Sequence, residues 1–107
     1  MEISIEDSGP SGTVVVRLSG ALHETESIAL ADRILNLMPS HAPSALIVDL
    51  STCSLVSTMA ISALVSLSLA PELESCRMSI RGQTTEADSR MRGLRLDRIF
   101  DLDPPVA

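Results

Sequence analysis

The stretch LVSTMAIS, residues 55–62, is where the chain changes character. Before it, Ser44–Leu50 (SALIVDL) sets Ala45, Leu46, Ile47 and Val48 in an unbroken apolar run, the pattern of a strand covered on both faces. After it, Met59–Ala70 is apolar at helical spacing. Met59, Ala63 and Leu67 form one i, i+4 row, and Ile61, Leu64, Val65 and Leu69 fill the rest. A strand that gives way to a helix across Ser57 and Thr58 is half of a β-α-β unit and puts the chain in the α/β class. The two hydroxyls at the joint have two readings. As a helix cap, one of them accepts a backbone N–H and contributes about 1 kcal/mol. As a phosphate acceptor, one of them gains a dianion where a helix N-terminus favours negative charge. Thr58, Ser62 and Ser66 recur every four residues as a narrow hydroxyl stripe, the side of this helix expected to face outward.

Upstream, Ile3–Ile5 alternates with polar residues, GPSG (9–12) is turn chemistry, and Thr13–Leu18 (TVVVRL) is β-branched. Together they predict an N-terminal hairpin. Ser19-Gly20 is expected to break the second strand. A helix is expected from Thr25, its N-cap, with Glu26 in the first turn. Ile28, Ala31, Leu35 and Met38 share one face, and Pro39 is expected to stop the helix. Downstream, Pro71 closes the apolar helix and Arg77–Gly82 (RMSIRG) alternates as a strand. Thr85–Leu94 reads as a helix with Ala87, Met91 and Leu94 inward. LDRIFDL (96–102) reads as a short element turning from helix to strand, and PPVA as a frayed tail. The order is β-β-α-β-α-β-α-(β/α), which calls for parallel crossovers within one domain spanning 1–107.

Composition narrows the function. The 107 residues are 45% hydrophobic with mean hydropathy +0.29, enough for a core, yet they hold one Phe, no Trp and no Tyr. The core must be aliphatic, and no aromatic platform exists for stacking bases. A net charge of −6 argues against nucleic acid as the main partner. All eight basic residues are Arg, which excludes a lysine nucleophile. Six of them lie in 77–98, a stretch that reads as a solvated helix face before it reads as a patch for an acidic partner. The start MEISIEDSG is acidic and does not read as a leader, and Met59–Ala70 is too short to span a bilayer. These features predict a cytoplasmic protein without direct membrane insertion. Cys53 and Cys76 read as free thiols of a reducing compartment, at opposite ends of a parallel strand pair and too far apart to bridge.

Signs of enzymatic chemistry are sparse. The chain has no phosphate loop, no GxGxxG, no HExxH, no GxSxG and no zinc spacing. His23 and His41 fall in expected loops with no orienting partner. Asp49 stands near the expected end of the central strand, where α/β sheets place their sites, and its plainest role is to accept nearby backbone N–H groups. A small enzyme using Asp49, His23 or Cys53 would need a nucleophile, a base and an orienting group, and no such set is visible. The expectation is a non-enzyme without metal or cofactor.

Four segments carry a resemblance. VVVRLSGAL (14–22), LIVDLS (46–51), LVSTMAISAL (55–64) and GLRLDRIFDL (93–102) keep the order and spacing of the STAS family of anti-sigma-factor antagonists. The resemblance covers nearly the whole chain. It implies a small mixed sheet of about four to five strands, the N-terminal one antiparallel, with helices packed mainly on one face. It also implies a regulatory module that binds an anti-sigma factor serine/threonine kinase of the GHKL type and releases it once phosphorylated. The matching acceptor is Thr58, with Ser57 as second choice. The implied partner surface is Gly20, Ala21, Leu22, His23 and Glu24 together with Ser57, Thr58, Met59, Ser62, Ala63 and Ser66, on a monomer or weak dimer. Other relatives are unphosphorylated scaffolds, stressosome parts or subunits of ABC lipid-transport complexes, and this is the alternative reading. Ser57, Ala60 and Ser62 stand where the family pattern has Asp, Gly and Gly.

Overall fold

A computed structural model describes residues 2–7, 12–41 and 43–105. Five strands form one sheet in the order β1-β2-β3-β4-β5. They are β1 (Glu2–Asp7), β2 (Thr13–Leu22), β3 (Ala45–Val56), β4 (Arg77–Arg81) and β5 (Asp101–Leu102). β1 pairs antiparallel with β2, and every other pairing is parallel. The helices are α1 (Glu24–His41), α2 (Thr58–Ser68) and α3 (Thr85–Gly93), with short 3₁₀ turns at Pro71–Leu73 and Leu96–Arg98. The expected α/β order and mixed sheet are therefore found. GPSG lies outside the described residues except for Gly12, and so do the last two residues of PPVA.

The register explains where the core sits. Val16, Val48 and Ile80 are aligned across three strands, and Val14, Leu46 and Met78 form the next row. These residues are buried and share one apolar cluster with Leu30 and Ile34 of α1, Ile61 and Leu64 of α2, and Met91 of α3. One sheet face thus carries the helices. The core is almost wholly aliphatic, with Phe100 its single aromatic side chain.

The other face corrects the reading of Ala45–Val48 as doubly covered. Burial alternates only along Ala45–Val48, and Asp49, itself buried, lies mid-strand on the face opposite the helices, not at the strand end. There Asp49 Oδ2 sits 3.4 Å from Arg17 Nε and 3.3 Å from Arg81 Nε, and Arg17 also pairs with Glu6. Among the described residues no helix packs on this face; it carries this ion-pair cluster beside Val15 and Ile47. As expected, Asp49 also accepts a backbone N–H: Ser51 N donates to Oδ1 at 2.9 Å. Burial pushes the carboxyl up, but the Ser51 bonds and Arg81 outweigh it, and the net shift is downward. A lowered carboxylate stabilises the fold above the ordinary Asp range and stops doing so as pH falls through the folded value. Asp49→Asn should therefore lose about 1–2 kcal/mol at pH 7, and less at pH 3, below the ordinary Asp value where the loss of this contribution has begun. Urea midpoints at the two pH values check this, and an equal loss at both would exclude the charged role.

Other boundaries differ from expectation for local reasons. Ser19-Gly20 does not end β2. Register shifts between Arg17 and Ser19 and between Gly20 and Ala21 absorb the irregularity, with Gly20 at φ 104°, and pairing resumes to Leu22↔Val56. The Ser19 and Thr52 hydroxyls lie 2.9 Å apart across the strands, and Thr52 Oγ1 donates to Leu18 O at 2.7 Å. The residues Gly20 to Glu24 are consequently not a loop: only His23 lies between β2 and α1. α1 starts at Glu24, not Thr25, and runs through Pro39 to His41, so His41 is helical and not in a loop. A proline this near the helix end removes only one late hydrogen bond. Leu94 is 60% exposed and not part of the inward face of α3, because the chain turns through a left-handed Arg95 (φ 61°) directly after it.

Candidate functional site

β2 and β3 run on past Asp49↔Arg81, the last pair that β4 makes, so Ser51–Val56 projects beyond β4 at the carboxyl ends of the parallel strands. The final register pair, Leu22↔Val56, sets the starts of α1 and α2 side by side, and Ser57 N donates to Leu22 O at 3.0 Å. At the start of α1, Glu26 Oε1 accepts from His23 N at 3.1 Å while Ser27 N and Oγ both donate to His23 O. His23, rather than Thr25, therefore occupies the cap position, and Glu26 reaching back to the His23 N–H does the capping.

At α2 the two hydroxyls divide the work. Ser57, extended at φ −75° and ψ 161°, accepts from Ala60 N at 3.1 Å and is the N-cap. Thr58 is the first helical residue and is exposed. Its Oγ1 lies 3.5 Å from Arg90 Nη1, while Arg90 Nη2 donates to Val56 O at 2.5 Å. Ser57→Ala should cost about 1 kcal/mol, and Ser57→Asp almost nothing, since Asp caps as well as Ser. Thermal melts of the two variants check it; equal melting points would deny Ser57 the cap.

Most of the expected surface is open to solvent. His23, Glu24, Thr58, Ser62 and Ser66 are exposed, Met59 is 54% exposed, and Gly20, Ala21, Ser57 and Ala63 are partly covered. Leu22 is the correction: it is fully buried in the core, so its side chain has nothing to offer a partner. Ala60, where the family pattern has Gly, also points into the core with no exposed surface. Its methyl therefore adds no bulk to the outer face, whereas Ser62 stands on it.

Sequence reasoning missed the contribution of α3. Leu94 and Gly93, with Ser89 and Arg90, face Thr58 and Ile61 across a groove of about 300 Å³. A second cleft of about 270 Å³ lies between the projecting end of β3 and the first turns of α3, lined by Cys53, Val56, Gln83 and Arg90 among others. Arg90 borders both. The only sequence signal for it was the cluster of arginines in 77–98. Cys53 and Cys76 are free, and burial, helped by Asp49, pushes the Cys53 thiol up to about 11, so it rests protonated. Among the described residues no three His, Cys, Asp or Glu side chains are placed to hold a metal, and no helix is long and apolar enough to cross a membrane.

Comparison with known proteins agrees with this architecture. The family model described as "Mlab, STAS domain" matches residues 5–102, and the chain belongs to the STAS family. Among solved structures, an anti-sigma factor antagonist from Mycobacterium paratuberculosis is 25% identical with TM-score 0.67, over 98% of this chain and 86% of that one. An RsbS variant from Moorella thermoacetica is 18% identical with TM-score 0.75, over 96% and 86%. The phosphorylated form of the Bacillus cell fate determinant SpoIIAA is 15% identical with TM-score 0.66, over 96% and 92%. A comparison with the curated proteins gives no match.

Proposed function

We propose that the chain is a regulatory binding module of the antagonist type, not an enzyme, working in the bacterial cytoplasm as a monomer or weak dimer. Its partner is an anti-sigma factor that is also a GHKL-type serine/threonine kinase. The contact surface is His23 and Glu24 with the outer face of α2, and the acceptor is Thr58. One observation carries the reading: Ser57 already caps α2, which leaves the neighbouring Thr58 hydroxyl exposed and free of the capping role, with a long 3.5 Å approach from Arg90 as its contact. In the transfer, Thr58 Oγ1 attacks the γ-phosphorus of the kinase's ATP. The new O–P bond forms as the bond to ADP breaks, and the hydroxyl proton passes to a base on the kinase. The product carries about 1.5 to 2 added negative charges at the middle of the interface. Pull-down from the native host, with mass spectrometry reading partner and phosphosite together, tests both parts. A kinase partner and phosphate on Thr58 support the reading; neither being found sinks it.

A second reading is favoured by the family model, whose description is of the Mlab type. In that case the chain is a constitutive, unphosphorylated subunit or scaffold, and the same surface holds a transporter or stressosome component. The same pull-down then returns such an assembly with Thr58 unmodified.

A further inference from the structure

The geometry points to Arg90 as a built-in receiver for a phosphoryl group on Thr58, an inference that rests on Thr58 being the acceptor. Among the described residues Arg90 pairs with no carboxylate. Its α3 neighbour Arg92 does, gripping both oxygens of Asp88 at 2.9 and 3.0 Å. Arg90 instead spans from α3 to the β3–α2 junction, holding the Val56 carbonyl and reaching the Thr58 hydroxyl. Its Nε is buried and has no partner. A guanidinium is a five-donor fork shaped for phosphate oxygens. Here it rests against two neutral oxygens with its buried Nε–H unpartnered, beside the one atom where modification would place a dianion.

The first turn of α2 contains no acid, and Glu86, one turn earlier on α3, is the acidic residue lining the cleft with Arg90. A phosphoryl group on Thr58 thus meets Arg90 as its nearest cation. The paired phosphate would join α2 to α3, which makes the modified state a locally braced one and gives Arg90 a positioning role in the switch.

The test needs no kinase. Phosphothreonine is installed at position 58 during translation, and the second phosphate ionisation is followed by phosphorus NMR across pH. The start of α2 acts on the phosphate equally in every variant, so differences report on residue 90. Arg90→Gln is expected to raise that pKa by about one unit, a tenfold change in the dissociation constant, and Arg90→Lys to recover part of it. In the unmutated chain the Arg90 Nε–H resonance should move with the same titration, a readout that survives if the Gln variant fails to fold. An unmoved Nε–H, or equal pKa values with Arg and Gln, would overturn the inference. Failure to find phosphate on Thr58 in the host would sink the proposed switch instead, while leaving the measured pull of Arg90 in place.

Discussion

Thr58→Glu is expected to weaken capture of the proposed kinase partner more than a hundredfold, and Thr58→Val to leave it nearly unchanged. The asymmetry follows from where residue 58 stands. As the first residue of α2 it is exposed, at the meeting of the α1 and α2 starts, and its backbone is held by the Ser57 cap whatever side chain it carries. Val keeps the shape and removes only a hydroxyl whose one contact is the long 3.5 Å approach to Arg90. Glu places a charge where docking would strip away water, and a charge buried without full pairing costs several kcal/mol. A loss of about 3 kcal/mol is already more than a hundredfold in Kd. Arg90 tempers but does not cancel this, because a single carboxylate cannot use the whole fork. Titration calorimetry with the kinase recovered from the host reads the difference. Equal affinities for the two variants would mean that residue 58 is no switch.

The sheet and the site were legible to different degrees in the sequence. Element order could be read because β-branched runs at 13–18 and 45–48 and the apolar spacing of 59–70 are strong signals with one physical meaning. Strand ends could not, because Ser19, Gly20, Ser51 and Thr52 look like breakers. What sustains pairing there is a contact between the hydroxyls of Ser19 and Thr52, residues far apart in sequence. The run Ala45–Val48 suggested two covered faces because apolarity alone does not say whether a second helix layer exists, and the far face instead carries the Arg17–Asp49–Arg81 ion-pair cluster. The Ser-Thr pair was visible at the helix start, but which of the two capped the helix depended on one backbone torsion. Arg90 lies 32 residues from Thr58, and only the fold brings them together. Likewise Leu22 read as part of a loop surface until the extension of β2 drew it into the core.

Gly82→Ala is expected to destabilise the domain by about 2–5 kcal/mol, a large share of the roughly 5–15 kcal/mol that holds such a domain folded. Two penalties coincide. Gly82 has φ +76°, the left-handed region, which costs an L side chain about 1–2 kcal/mol. A Cβ there would also lie 2.5 Å from Ser51 N and 2.8 Å from Ser51 Cα and Asp49 Oδ1. The first two are backbone atoms of the central strand, which cannot swing aside, and overpacking of this kind adds about 1–3 kcal/mol. The third belongs to the Ser51–Asp49 hydrogen bond, so relief by moving Asp49 would loosen its hold on Arg17 and Arg81. The effect should reach the site as well. Gly82 links β4 to Gln83 and the start of α3, and any displacement there shifts the helix that presents Arg90 to Thr58. Gly93→Ala is the internal control: nothing lies within 4 Å of a Cβ at that position, at the end of α3. It should be neutral or stabilising by up to about 1 kcal/mol, since Ala is the better helix former. Urea unfolding of the two variants side by side separates backbone conformation and crowding from the mere addition of a methyl group. Similar midpoints for both would show that the junction after β4 is free to rearrange, and that the close approach of Gly82 to the central strand is not what fixes α3 against the site.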